Sequence, residues 1–123
     1  MTTVFDQLGE EGFRALVSAF YLGIRADDLI GPIYPQDDWE GSEQRLRDFL
    51  VGRFGGPQRY IQQRGHPRLR MRHLPFAIGK AERDRWLQLM ASAMEQSETP
   101  EPSRRVLTEF FTQTADFMRN KPG

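Results

Sequence analysis

Apolar residues recur along this chain at helical spacing in four places. Over 12–25, Phe13, Leu16, Val17, Phe20, Tyr21 and Ile24 stand at offsets of 0, 3, 4, 7, 8 and 11, one stripe along a single helix face. A second helix is predicted over 42–54, with Leu46, Phe49, Leu50 and Phe54 inward and Glu43, Arg47, Asp48 and Arg53 outward. Gly55-Gly56-Pro57 stops it, because glycine accepts a left-handed cap and proline cannot continue the backbone ladder. The third helix starts after Gly79 and runs to about Gln96, turning Trp86, Leu87, Met90 and Met94 inward. The fourth opens at Thr99-Pro100, a cap followed by proline at the first helical position. It is expected to bury Val106, Leu107, Phe110, Phe111, Thr114 and either Phe117 or Met118. No stretch alternates with the period of two that a half-buried strand requires. The pattern predicts an all-α protein.

Two connectors break the helical rhythm. The first, 27–41, contains Gly31-Pro32-Ile33-Tyr34-Pro35 followed by acidic residues; its two prolines are expected to hold the backbone extended and fix where Ile33 and Tyr34 point. The second, 57–79, exceeds twenty residues, a length that compact domains rarely carry without a role. It holds both histidines of the chain and its densest positive charge, Arg64-Gly65-His66-Pro67-Arg68-Leu69-Arg70-Met71-Arg72-His73. Leu69 and Met71 alternate with the arginines, which predicts one wet edge and one buried edge. The apolar stretch Leu74-Pro75-Phe76-Ala77-Ile78 follows directly.

Composition narrows the chemistry. A chain of 123 residues is long enough for one core, and 38% hydrophobic with 28% charged residues is ordinary for a globular protein. Lys+Arg and Asp+Glu balance at 17 each, but not evenly: up to Gln62 there are 6 basic and 10 acidic residues (−4), and beyond it 11 and 7 (+4). Without cysteine there are no disulfides, thiolate metal sites or cysteine nucleophiles. No apolar run approaches the length of a membrane span, and the start Met1-Thr2-Thr3-Val4-Phe5-Asp6 lacks the features of a secretion signal, so the expected location is cytoplasmic. No serine sits in a nucleophile elbow, no glycine-rich loop opens a helix, and the pairs Asp27-Asp28 and Asp37-Asp38 read as solvated turn residues. The basic segment keeps three readings: a solvated face, a nucleic-acid patch, or an arginine clamp for a smaller anionic ligand. A histidine between a basic edge and an apolar stretch is either structural, the commoner case for a lone histidine, or suits a large flat ligand with carboxylates at its rim and a metal at its centre. Tyr21, Tyr34 and Trp86 are polar aromatics at or near inner positions; each finds a backbone carbonyl, or together they prepare a site for a small acceptor.

The run from Gly55-Gly56-Pro57 through Arg64 to His73, continuing to Pro75-Phe76 and Ile78, resembles the group II truncated haemoglobins, a branch of the two-over-two globins. Phe20-Tyr21, Tyr34-Pro35 and Glu82-Arg83-Asp84 to Trp86 match the same family in order and spacing. Two positions depart from its pattern. Gly9 is followed by Glu10-Glu11 before the next glycine, Gly12, and Phe54 stands where many members have tryptophan.

The resemblance implies one truncated-globin domain over 1–123, a two-over-two helical sandwich around haem b (iron protoporphyrin IX), with His73 as the proximal iron ligand. By the same resemblance Tyr21, Tyr34 and Trp86 form a distal hydrogen-bonding cluster, Ser42 takes the place of the distal histidine of many globins, and Leu46 lies one turn later over the haem face. Arg45 and Arg72 are the expected partners of the haem propionates, joined by Tyr60. Phe49, Leu50, Phe54, Met71, Phe76, Ile78, Met90 and Phe111 are the expected apolar lining.

The implied function is reversible binding of O2, and of CO and NO, with high affinity and slow release. Two charge-assisted donors at about 1.5–3 kcal/mol each slow release by about two orders of magnitude or more. The alternative is a redox enzyme on the same haem, an NO dioxygenase or a peroxidase-like activity, with a reductase as a further candidate partner. A helical nucleic-acid module built on the 64–72 run is the third reading, opposed by the zero net charge. The expected partners are therefore small gases, with no nucleic acid and no membrane, on a chain acting as a monomer or weak homodimer.

Overall fold

The structure is a computed structural model that describes residues 3–122. Its elements are α1 (Val4–Arg25), a 3-10 turn (Gly31–Ile33), α2 (Trp39–Arg53), α3 (Arg59–Arg64), α4 (Leu69–His73), α5 (Lys80–Gln96) and α6 (Ser103–Phe117). No strand occurs among the described residues, as the periodicity predicted. α1 packs against α5 and α2, and α5 against α6, so two helix pairs lie face to face. Phe13, Leu16, Val17, Phe20 and Ile24 on the predicted α1 stripe are fully enclosed. Each contributes roughly 1.5–3 kcal/mol of burial, which makes α1 the spine of the core.

The helix begins earlier than its stripe. Thr3 Oγ1 accepts from the Asp6 amide at 2.9 Å and Asp6 Oδ2 accepts from the Thr3 amide at 2.9 Å, a reciprocal cap that starts the chain turning at Val4. Gly9, at φ 68° and ψ −178°, then breaks the ladder, a conformation open essentially to glycine alone. A single glycine therefore makes the bend.

α2 differs from expectation at Asp48, which was expected on the outer face. It is buried, accepting from Gln44 Nε2 at 3.0 Å with Arg59 Nη1 at 4.0 Å. α6 starts later than Thr99-Pro100 predicted. The Thr99 amide donates to the Met94 carbonyl at 2.9 Å and so belongs to the end of α5. The N-terminus of α6 is capped from α1 instead, by Gln7 Oε1, which accepts from the Ser103 amide at 3.1 Å and from its hydroxyl. Along α6 the inner face holds Leu107, Phe111, Ala115 and Met118, while Val106 and Phe117 are exposed. Met118, one residue further along the turn, takes the inner place that Phe117 competed for.

The connectors carry more structure than their sequence suggested. Ile33 lies in the 3-10 turn rather than in extended backbone, and only Tyr34, at φ −82° and ψ 150°, is extended. Asp27 is not a solvated turn residue. It accepts from the Leu29 amide at 3.0 Å and the Ile30 amide at 2.9 Å, and pairs with Arg85 on α5. Burial alone would raise its pKa, but the Ile30 amide, the Arg85 guanidinium and the Leu29 amide together outweigh it and hold the carboxyl below its ordinary value.

Candidate functional site

Residues of α2, α4, α5 and α6, with Tyr21 of α1, Tyr60 of α3 and the connector after α1, line a cleft of about 410 Å³. Its apolar wall is built from Ile30, Ile33, Leu46, Phe49, Leu50, Leu69, Phe76, Ile78, Phe110 and Phe111, closed by Ala115 and Met118. Phe54, Met71 and Met90 were expected in that wall and do not reach it. Phe54 stacks on Phe13 at 6.4 Å and meets Phe110 edge-on at 5.0 Å, and Met90 of α5 is buried in the core. Met71 is 54% exposed: on α4 the turn that brings Leu69 and His73 to the cleft, four residues apart, carries the residue midway between them to the outside. The edge of the basic segment that faces the cleft is thus Leu69 and His73, both half-buried.

His73 lines the cleft, and its Nδ1 lies 2.6 Å from the Leu69 carbonyl oxygen one turn earlier. A carbonyl only accepts, so Nδ1 carries the proton and donates, which fixes the tautomer and leaves the lone pair on Nε2. The other histidine does different work. His66 Nδ1 accepts from the Arg68 amide at 3.0 Å in the exposed turn before α4. Among the described residues no group of three or more His, Cys, Asp or Glu could hold a bare metal ion. A single imidazole is a weak trap for a free cation, so a metal held there arrives already chelated by a flat organic ring, which is what an apolar slot of this size takes.

Three polar aromatics meet at the cleft. The Tyr21 hydroxyl donates to the Ser42 carbonyl at 3.1 Å, so this buried donor finds a backbone partner. Trp86 Nε1 donates to the Tyr34 hydroxyl at 3.2 Å. The rings are fixed by edge-on contacts, Tyr21 with Tyr34 at 5.8 Å, Phe20 with Trp86 at 4.9 Å and Trp86 with Phe111 at 5.5 Å. Burial raises the pKa of Tyr21, and raises that of Tyr34 to about 12 against the lowering effect of the Trp86 N–H. Two of the three donors are therefore engaged inside the wall, and the Tyr34 O–H is the one offered to the cleft.

The rim is basic. Arg72 lines it and has no ion pair among the described residues. Arg45 lines it too, with Nη1 at 3.1 Å from Asp38 and Nη2 donating to Ser42 Oγ at 3.2 Å. Tyr60 on α3 is buried against Phe49, ring centroids 5.7 Å apart, and reaches the cleft. Sequence reasoning missed Trp39, which stacks on Tyr34 at 5.8 Å and 18° and meets Tyr21 edge-on at 6.4 Å, with the Arg25 guanidinium 5.4 Å from its ring. An aromatic in an acidic stretch was the available signal. Glu82, Arg83 and Thr114 also contribute to the wall.

The sequence profile described as bacterial-like globin matches residues 3–120. The chain belongs to the bacterial-like globin family. Within it the chain sits in the group II truncated haemoglobins, and its helix pairs are the two-over-two sandwich of that group. Haemoglobin from the thermophilic phototrophic bacterium Chloroflexus aurantiacus is 43% identical with a TM-score of 0.94, covering 98% of this chain and 100% of that one. The group II truncated haemoglobin of Bacillus anthracis is 34% identical with a TM-score of 0.95, covering 100% and 95%. A truncated oxygen-avid haemoglobin from Bacillus subtilis is 35% identical with a TM-score of 0.91, covering 96% and 99%. Membership of a globin family implies a haem cofactor, and the donor set of this truncated haemoglobin fits one: a single imidazole, apolar walls and a basic rim.

Proposed function

We propose that the cleft takes up haem b, with His73 as the protein residue that would hold its iron, and that the chain binds O2 reversibly, tightly and with slow release, with CO and NO as further ligands. The observation that carries this reading is the pairing, within one cleft, of an imidazole whose Nε2 lone pair is left over and a phenol held in place by an indole N–H. When bound, haem would supply an iron that His73 could hold and that could take a diatomic gas.

The residues divide the remaining work. The Leu69 carbonyl orients the His73 ring and strengthens it as a ligand, the usual task of such a partner. Arg72 is available to pair with a carboxylate of the haem edge, whereas Arg45 is already shared with Asp38 and Ser42, so Arg72 is the stronger clamp. Leu46, Phe49, Leu50, Phe76, Ile78 and Phe111 line the cleft and would keep water from a bound ring. Trp86 polarises the Tyr34 hydroxyl, and Tyr34 would donate to negative charge developing on a bound gas. With its pKa pushed up to about 12, Tyr34 stays protonated through the neutral and mildly alkaline range, so its donation does not change with pH there. One charge-assisted bond is worth about 1.5–3 kcal/mol, or roughly tenfold to a hundredfold slower release. CO, which carries less charge, gains less. The description of the Bacillus subtilis relative as oxygen-avid agrees in kind. We place the protein in the cytoplasm as one domain, a monomer or weak homodimer; a chain without cysteine suits a compartment where disulfides are rare.

The test is O2 dissociation by stopped flow on the wild type, Tyr34→Phe and Trp86→Phe. The expected result is slow release in the wild type and acceleration of about tenfold or more in Tyr34→Phe, with a smaller rise in Trp86→Phe. Equal rates in all three would overturn this account of the gas-binding side.

A further inference from the structure

The helix that carries His73 is not held by its own packing. α4 has five residues, enters through Arg68 in the left-handed region at φ 48°, has no side-chain cap and buries none of its side chains. A helix of that length does not persist in water by itself. The His66 ring secures its entry. Its exit is secured from the far end of the chain. Asn120 Nδ2 donates to the carbonyl of His73 at 3.3 Å and to that of Phe76 at 2.8 Å, while Asn120 Oδ1 accepts from the Ile78 amide at 2.9 Å. The Asn120 and Lys121 amides both donate to the Ile78 carbonyl, at 2.9 and 3.2 Å. From within α4, Arg70 returns the connection through Nε to the Phe117 carbonyl at 3.2 Å and Nη2 to the Arg119 carbonyl at 3.4 Å.

We propose that Asn120 is the positioning residue of the His73 side: by binding the His73 carbonyl and the turn after it, it sets the angle and firmness with which the imidazole meets the haem iron. This rests on the reading of His73 as the axial ligand. The chemistry asks for a carboxamide, since the site needs two N–H donors and one acceptor from a single short side chain. Aspartate keeps the acceptor and loses both donors. The tie also joins the end of α6 to the ligand-bearing turn across more than forty residues of chain, a link that no local helix signal supplies.

Asn120→Asp is nearly isosteric and tests this directly, with Lys121→Ala as the control, since it removes an exposed side chain and keeps the backbone amide. In the ferrous protein, the iron–imidazole stretching band in the resonance Raman spectrum is expected to shift or broaden in Asn120→Asp and to match the wild type in Lys121→Ala. Haem transfer to excess apomyoglobin is expected to accelerate about tenfold in the first and to stay within about twofold in the second. Amide exchange over 69–78 is expected to rise in haem-free Asn120→Asp while α1 and α5 keep their protection. An unchanged stretching band together with haem transfer within about twofold of wild type overturns the proposal alone, as does an equal effect from both variants. A wild type that takes up no haem overturns the functional reading, and this proposal with it.

Discussion

Tyr21 and Trp86 leave long helices among side chains that are largely enclosed, whereas His73 leaves a helix of five residues that encloses none of its own. The proposed gas-binding side is held by ring contacts inside the core, with Tyr34 fixed between Trp39 and the Trp86 N–H. The His73 side is held by hydrogen bonds to backbone, and the decisive ones come from Leu69 and from Asn120 near the chain end. One side is rigid because it is part of the fold, the other because separate polar groups tie it down. Substitutions on the first are therefore expected to disturb stability and ligand chemistry together. Those on the second should change the haem's hold with little effect on the helical core.

The largest effect expected is at His73. His73→Ala should abolish stable haem retention while far-UV circular dichroism still reports a helical chain, because α4 adds nothing to the core; collapse of the helical signal would break the contrast. Next comes the pair of tyrosines. Tyr34→Phe is expected to speed O2 release by about tenfold to a hundredfold. Tyr21→Phe, whose hydroxyl is engaged with the Ser42 carbonyl, should change release by less than about threefold and instead cost about 1 kcal/mol in denaturant unfolding. The reverse order would mean that the Tyr21 hydroxyl turns to the ligand when haem enters.

The smallest effect concerns acid stability. The Asp27 carboxyl has its pKa held below the ordinary value, so its contribution is complete above the unfolded pKa of about 4 and is lost as pH falls through the folded value. Melting temperature followed from neutral to acid pH should drop more steeply below about pH 4 in the wild type than in Asp27→Asn. Parallel curves would mean that the Asp27–Arg85 pair does not hold the 27–30 turn against α5 under acid conditions.

What the sequence revealed follows the same division. The α1 stripe and the inner faces of α5 and α6 were legible because burial repeats with the helical period, and Tyr21 and Trp86 could be placed through them. The resemblance to truncated haemoglobins drew attention to His73, and the structure sets it in the cleft wall. Long-range polar ties were not legible. Gln7 capping α6, Asp27 bound to Arg85 and Asn120 bound to His73 join residues far apart in the chain, and no periodicity encodes such a partner. Met71 was misread for a related reason. Alternation with arginines suggested a two-sided edge, but α4 is helical, so Leu69 and His73 share a face and Met71 does not.

The account turns on whether the imidazole at 73 takes a porphyrin iron, and the absorption spectrum of the reduced protein, with and without CO and again after His73→Ala, tests it most directly. A ferrous five-coordinate haem that converts on CO addition in the wild type and is missing in the substituted protein is the predicted result. Protein that stays colourless when expressed with ample porphyrin, or a haem spectrum indifferent to His73→Ala, would contradict it.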